Sequence, residues 1–173
     1  MTIYTRKARS TDMDAIMKIL EEGIAYLRDQ GLPQWQNGQG PNGETVQADI
    51  INGYAYVLVD DQNVVGYGVL VPGPDHAYEN INQGSWQYSS KNYVAIHRIA
   101  VDRNVRGKGL AKILIHDLIV LARNLEYLDI RIDTYPENVI MEKVIFSAGF
   151  CYRGMIHFGF ADGERKAYQL VLE

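Results

Sequence analysis

The sequence predicts an α+β fold built on a mixed, mostly antiparallel central sheet with helices on both faces. Three observations carry this reading. The apolar patterns run in the order strand, helices, hairpin, strand, helix, strand, helix, hairpin. Two polar turn segments, Asp60-Asp61-Gln62-Asn63 and Ala161-Asp162-Gly163-Glu164, each join a pair of strand-like runs. Helical periodicity is confined to the stretches between those runs.

Taken in order, Ile3 to Ala8 alternates weakly and reads as a first strand. Ser10-Thr11-Asp12 supplies capping side chains for a helix. On that helix Met13, Ile16, Met17, Leu20, Ile24 and Leu27 recur at three- and four-residue steps and make one apolar face. Gly31 stops it, and Gln34 to Gly43 is a loop around Trp35. Glu44 to Ile51 is a short helix, and Tyr54 to Val59 with Val64 to Val71 forms a hairpin. Pro72 to Asn92 is a long polar and aromatic loop, of the kind that tends to carry function. Tyr93 to Val101 is the central strand and Lys112 to Ala122 a helix. Leu125 to Thr134 is the next strand, with Pro136 at the start of the helix after it. Phe150 to Phe160 and Lys166 to Leu172 close the chain as a hairpin.

Composition narrows the function classes. A chain of 173 residues fits one domain, residues 1–173, and 47% hydrophobic residues are enough for a sizeable core. A net charge of −4 disfavours nucleic acid as a main partner. The single cysteine, Cys151, allows no internal disulfide and fits a reducing compartment. No apolar run reaches membrane-spanning length, and the first residues lack the apolar core of a signal peptide. These features predict a soluble, cytoplasmic protein without membrane partners, and a mild prior favours a homodimer. His76 and His157 show no metal-ligand spacing and Cys151 has no Cys-x-x-Cys partner, so no metal site is expected.

The most informative segment is Arg106-Gly107-Lys108-Gly109-Leu110-Ala111, between the central strand and the helix that Lys112 continues. Its glycines permit close approach of a ligand to the backbone. The first helical turn leaves N–H groups without internal partners, and the helix dipole favours negative charge there. Arg103, Arg106, Lys108 and Lys112 add positive charge. A strand, a basic glycine turn and a helix therefore point to a phosphate-bearing cofactor. The turn has neither the Gly-Lys-Ser/Thr of a Walker loop nor Gly-x-Gly-x-x-Gly.

The segment resembles the acetyl-CoA signature of the GNAT superfamily of N-acetyltransferases, Gln/Arg-x-x-Gly-x-Gly/Ala, with Arg106, Gly109 and Ala111 at its defined positions. Ile99-Ala100-Val101 matches the strand end that the family places upstream, and Asn138 with Gly149-Phe150 matches the downstream element. The resemblance implies the family fold, acetyl-CoA as the cofactor and transfer of an acetyl group to a primary amine of a small molecule or peptide. It implies that backbone groups of Ile99, Ala100 and Val101 hold the pantetheine arm. It further implies that Arg106, Gly107, Lys108, Gly109, Leu110, Ala111 and Lys112 bind the pyrophosphate, and that Asn138 contacts the arm or caps its helix.

The chain departs from the family at two catalytic positions. Ala95 stands where a glutamate base is common, and Ile145 where a tyrosine acid is usual. His97 resembles a catalytic histidine of arylalkylamine acetyltransferases, and an imidazole of pKa about 6.5 suits proton transfer. The alternative is a hydrogen-bonded core histidine. Strand alternation puts His97 on the face of Ile99, and Arg98 on the opposite face beside a carboxylate. Tyr135, at the end of the following strand, is a candidate acid, with the alternative of a rim aromatic. Trp35, Tyr78, Glu79 and Trp86 lie in loops expected on the acceptor side, where aromatics beside a carboxylate suit an amine cation; the alternative is that they cover the core. Two other functions compete, a non-catalytic acyl-CoA sensor or scaffold and an unrelated phosphate binder.

Overall fold

The computed structural model describes residues 2–173. The chain begins with β1 (Ile3–Lys7), α1 (Met13–Asp29), α2 (Gly43–Ile51), the hairpin β2 (Ala55–Asp60) and β3 (Asn63–Pro72), and the short α3 (His76–Glu79). It continues with β4 (Val94–Val101), α4 (Leu110–Asn124), β5 (Asp129–Thr134), α5 (Val139–Ser147), and the hairpin β6 (Cys151–His157) and β7 (Glu164–Val171). The strands form one seven-stranded sheet in the order β1-β2-β3-β4-β5-β7-β6. Among the described residues β4 and β5 run parallel, and every other pairing between strands is antiparallel.

Helices cover both faces, as the element order predicts. Ile16, Ile19 and Leu20 of α1 and Val46 of α2 pack on Val57, Tyr67, Val69 and Ala100. Leu114, Ile115 and Leu118 of α4 and Ile145 of α5 pack on Leu58, Ile96, Ile130 and Tyr168 on the other face. Each such side chain contributes about 1.5–3 kcal/mol on full burial. Boundaries differ at the β5 end. Helix α4 continues to Asn124, so β5 starts at Asp129 rather than Leu125, and Leu125 and Leu128 are exposed in the connection. Helix α5 starts at Val139, because the Asn138 side chain accepts from the Met141 N–H, and Pro136 lies in the turn before it.

The two faces are not related to sequence by simple alternation. Tyr67 pairs with Ala100 and Val69 with His97, so Gly68 alone opposes both Arg98 and Ile99. This is a β-bulge, and Arg98 takes a left-handed conformation with φ 55°. Before the bulge, Tyr93 and Ala95 face the α3 side and Val94 and Ile96 face α4. After it, Ile99 and Val101 pack on the α4 side and Ala100 on the α1 side. The alternation expected to put His97 on the face of Ile99 is therefore broken. His97 and Ile99 lie on opposite faces. Arg98 finds its carboxylate in Asp49 of α2, through Nε at 2.9 Å and Nη2 at 2.8 Å, on the same face as His97.

The loop between β3 and β4 is pinned from within. Arg131 of β5 is buried, and its guanidinium lies between the rings of Trp86 (4.1 Å to the centroid) and Tyr93 (3.8 Å). It donates to both carboxylate oxygens of Asp129 and to the carbonyls of Tyr88 and Ser90. A buried guanidinium needs such partners to offset its lost hydration. The Trp86 indole N–H donates to the Tyr78 carbonyl at 2.7 Å, which fixes α3 beneath the loop. A bridge between Asn82 and Met155 then ties the loop to β6.

The bridge requires two glycines. A Cβ on Gly84 would lie 2.0 Å from the carbonyl oxygen of Arg153, and one on Gly154 would lie 2.7 Å from that of Asn82. Backbone cannot yield as a side-chain tip can. Gly84→Ala is therefore expected to lower stability by about 1–3 kcal/mol in a urea titration. Gly43→Ala, where nothing lies within 4 Å of the new Cβ, is the control expected to be neutral or better.

Candidate active site

A cleft of about 790 Å³ opens where β4 and β5 part. Their pairing runs only from Val94↔Ile130 to Ile96↔Ile132, although β4 continues to Val101 and β5 to Thr134. Backbone groups of β4 beyond Ile96 on that side have no strand partner among the described residues. Polar backbone without partners must find them in water or in a ligand. Ile99, Ala100 and Val101 all line the cleft.

One end of the cleft is the N-terminus of α4. Gly107 and Gly109 are both left-handed, with φ 80° and 76°, and an added Cβ on either would meet nothing within 4 Å. The first N–H groups of a helix have no acceptor within it. Among the described residues the first intrahelical N–H to find an acceptor is that of Ile113, bonded to Gly109 O. The N–H groups of Leu110, Ala111 and Lys112 thus face the cleft mouth unpaired, with the dipole behind them. Gly107, Gly109, Leu110, Ala111 and Lys112 line this end. Arg106 lines it too, its guanidinium 4.2 Å from the centroid of the Tyr26 ring and Nη2 donating to Glu22 O at 3.4 Å. Lys108 is exposed and does not line the cleft. Asn138 lines it from the β5–α5 junction; besides capping α5, it donates through Nδ2 to Gln34 Oε1 at 3.1 Å.

The other end belongs to the α1–α3 face. His97 of β4 and Asp133 of β5 meet there, with Nδ1 3.6 Å from Oδ2. Tyr78 of α3 donates its hydroxyl to the same Oδ2 at 2.6 Å. Arg165 of β7 brings Nε to 3.9 Å from Oδ1. Burial pushes the His97 pKa below its ordinary 6.5, and the Asp133 charge offsets only part of that. The imidazole is therefore neutral at neutral pH. Burial, reinforced by Asp133, raises the Tyr78 phenol well above 10, so it stays a donor. Burial lowers the Arg165 pKa, again opposed by Asp133. Trp35, Phe158 and Phe160 wall this end. Trp35 reaches it because α1 carries Gly23 there: a Cβ on that glycine would lie 3.4 Å from the indole.

Several residues named from the sequence stand elsewhere. Tyr78 is fully buried, packed between Trp86 (5.5 Å between centroids) and Tyr93 (6.0 Å), and reaches the site against the His97 ring (5.7 Å) and through its hydroxyl to Asp133 rather than by lining the cleft. Trp86 covers Arg131 instead of lining the cleft. Glu79 is exposed at the end of α3, away from the cleft lining. Tyr135 is also outside the lining; its ring stacks toward Arg165, 5.6 Å from the guanidinium carbon. Ile145, at the family's tyrosine position, is wholly buried on the inner face of α5. Of the expected acceptor-side set, Trp35 alone lines the cleft.

Sequence reasoning missed Asp133, Arg165, Gln34, Phe158 and Phe160. The local sequence of Asp133 and Arg165 gives no signal: Asp133 continues the polar alternation of Asp129 and Arg131, and Arg165 lies between Glu164 and Lys166, as on a solvent-facing strand edge. Among the described residues no cluster of His, Cys, Asp and Glu is grouped to hold a metal ion, and no helix is long and apolar enough to cross a membrane.

Comparison with known proteins gives a consistent result. A GNAT-family acetyltransferase from Streptococcus agalactiae 2603 shares 32% identity and superposes with a TM-score of 0.89, over 99% of this chain and 96% of that one. One from Listeria monocytogenes 4b F2365 shares 20% identity at a TM-score of 0.74, over 98% and 95% of the two chains. The structure of yncA from Salmonella typhimurium, solved with its cofactor acetyl-CoA, shares 18% identity at a TM-score of 0.70, over 99% and 94%. Among curated proteins none matches the sequence significantly. The model of the acetyltransferase (GNAT) family matches residues 21–150, a span that includes the basic glycine turn, both parting strands and the Asn138 cap, and the chain belongs to that family of acetyl-CoA-dependent acetyltransferases.

Proposed function

We propose that the protein moves the acetyl group of acetyl-CoA to a primary amine of a small molecule or exposed peptide, with His97 as the base. The observation that carries this reading is the junction in one cleft of two unlike ends. At one, unpaired helix N–H groups, two left-handed glycines and Lys112 fit a pyrophosphate. At the other, a neutral imidazole sits beside a carboxylate. Between them runs the unpaired edge of β4, suited to amide-rich chain such as the pantetheine arm.

Acetyl-CoA supplies the thioester; the protein supplies position and a proton acceptor. An alkylammonium has a pKa near ~10 and must lose a proton before it can attack. His97, held neutral by burial, accepts that proton, and Asp133 stabilises the imidazolium that results. Asp133 is itself held by the Tyr78 hydroxyl. Ile145 is sealed in the core and offers no proton to the departing sulfur. A thiol of pKa about 8.5 leaves acceptably as a thiolate, so this loss is tolerable. Much of the rate would come from holding amine and thioester together.

Two measurements test the reading. Gly109 is left-handed, which aspartate tolerates, and its Cβ position is open. Gly109→Asp should fold, but its carboxylate would take the helix N–H groups and repel phosphate. Calorimetry should show coenzyme A affinity reduced by at least about tenfold; unchanged affinity would place the cofactor elsewhere. His97→Gln should lower kcat by about 10²–10⁴ with little change in coenzyme A affinity. In the wild-type protein kcat/KM should fall on the acid side with a midpoint below 6.5, the ordinary imidazole value from which burial lowers His97. The variant should lack that limb. A variant with wild-type turnover and an intact limb would make His97 a packing residue.

A further inference from the structure

Arg165 is a buried cation whose bonding is incomplete. Its Nη1 donates to the carbonyls of Asp162 and Glu164, each at 2.7 Å, which fixes the plane of the guanidinium. Its Nε lies 3.9 Å from Asp133 Oδ1, beyond a normal hydrogen bond. Among the described residues nothing accepts from Nη2, although the side chain is only 6% exposed and lines the cleft. The Nη2 edge is not sealed in the core: it opens into the cleft, where water or a bound acceptor can take its hydrogen bond.

The neighbouring charges do not complete it. Arg98 is matched by Asp49 in a two-pronged pair. The Asp133 carboxylate is shared among Tyr78, His97 and Arg165. The acceptor end therefore presents a base, the Asp133 carboxylate and, next to that carboxylate, a guanidinium edge open to the cleft. That pattern is complementary to a molecule carrying an amine and an acid group a short distance apart. A guanidinium edge also matches the planar geometry of a carboxylate better than a point cation would.

We propose that Arg165 is the receptor for a carboxylate on the acceptor, so that the substrate is an amino acid or a close amino-acid analogue, with its amine beside His97 and Asp133. This inference rests on the acetyl-transfer reading. The ammonium enters attracted by Asp133 and gives its proton to the His97 imidazole, which passes it to solvent. The freed lone pair forms the N–C bond, and the C–S bond breaks with its electron pair on sulfur. The product keeps its carboxylate on Arg165. It has lost the ammonium charge that Asp133 attracted, which favours release.

The test compares amino acids with their primary amides, which match in shape but lack the negative charge. Thiol release from acetyl-CoA is followed across a panel of such pairs, together with simple alkylamines. At least one amino acid should surpass its amide in kcat/KM by about 10- to 100-fold, the worth of hydrogen bonds to a charged group. Arg165→Gln should remove that preference without changing the KM for acetyl-CoA, and Arg165→Lys should restore part of it. Amides or alkylamines used as well as the acids, or a preference that survives in Arg165→Gln, would overturn the proposal. If the Gln variant shows no melting transition, the wild-type comparison and the Lys variant decide. If no amine or amino acid releases thiol, the acetyl-transfer reading has failed. Calorimetry on the coenzyme A-loaded protein then judges the receptor alone. Binding of an acid but not its amide supports it, and equal binding, or none, rejects it.

Discussion

The structure depends on a limit of parallel pairing. β4 and β5 share a ladder only as far as Ile96 and Ile132, and then diverge. Inside a protein, strand edges left open carry a standing demand for hydrogen bonds. Here that demand falls at the centre of the sheet, on a face covered by α4 and α5 and reached from the mouth of α4. Gly107, Gly109, Asn138, His97 and Asp133 all line the cleft at that gap. The bulge at Arg98 reverses the strand so that Ile99 and Val101 pack on the α4 side while His97 meets Tyr78 of α3 on the other. Without the reversal, His97 and Ile99 would share a face.

Asp133 has a comparable role on the opposite wall. It receives Tyr78 from α3, His97 from β4 and Arg165 from β7, three elements far apart in the chain. Those contacts depend in turn on the packing of the β3–β4 loop. Arg131 draws Trp86 and Tyr93 onto its two faces, the Trp86 N–H fixes the Tyr78 carbonyl, and the Tyr78 ring is thereby aimed at Asp133. A buried cation that does not line the cleft thus sets the orientation of a phenol that meets both His97 and Asp133.

Much of this was legible in the sequence, and what was not has identifiable causes. The glycine turn, the Ile99-Ala100-Val101 strand end and the Asn138 cap are local, so their spacing alone places them. The order of strands and helices predicts the mixed sheet and its two covered faces. The face of His97 relative to Ile99 was misread because alternation assumes an unbroken strand, and nothing in His97-Arg98-Ile99 announces an inserted residue. Tyr78 and Trp86 were assigned to the acceptor because an aromatic loop resembles a binding surface. Their burial follows from Arg131, a residue about fifty positions away whose need for ring faces appears only in three dimensions. Asp133 and Arg165 were overlooked for the same reason, since their meeting depends on the β5–β7 register.

The cleft is divided by the kind of chemistry it presents. The donor half consists largely of main-chain atoms: the front of α4, the left-handed glycine turn and the open edge of β4. The acceptor half consists of side chains on elements that otherwise share no contacts of function, Trp35 before α2, Phe158 and Phe160 in the β6–β7 turn, and Arg165 on β7. A point mutation exchanges a side chain and leaves the peptide group in place. Heritable variation in this protein can therefore explore new acceptors one residue at a time while its cosubstrate stays fixed, and descendants of the sequence should diverge in what they modify long before they diverge in what they modify it with.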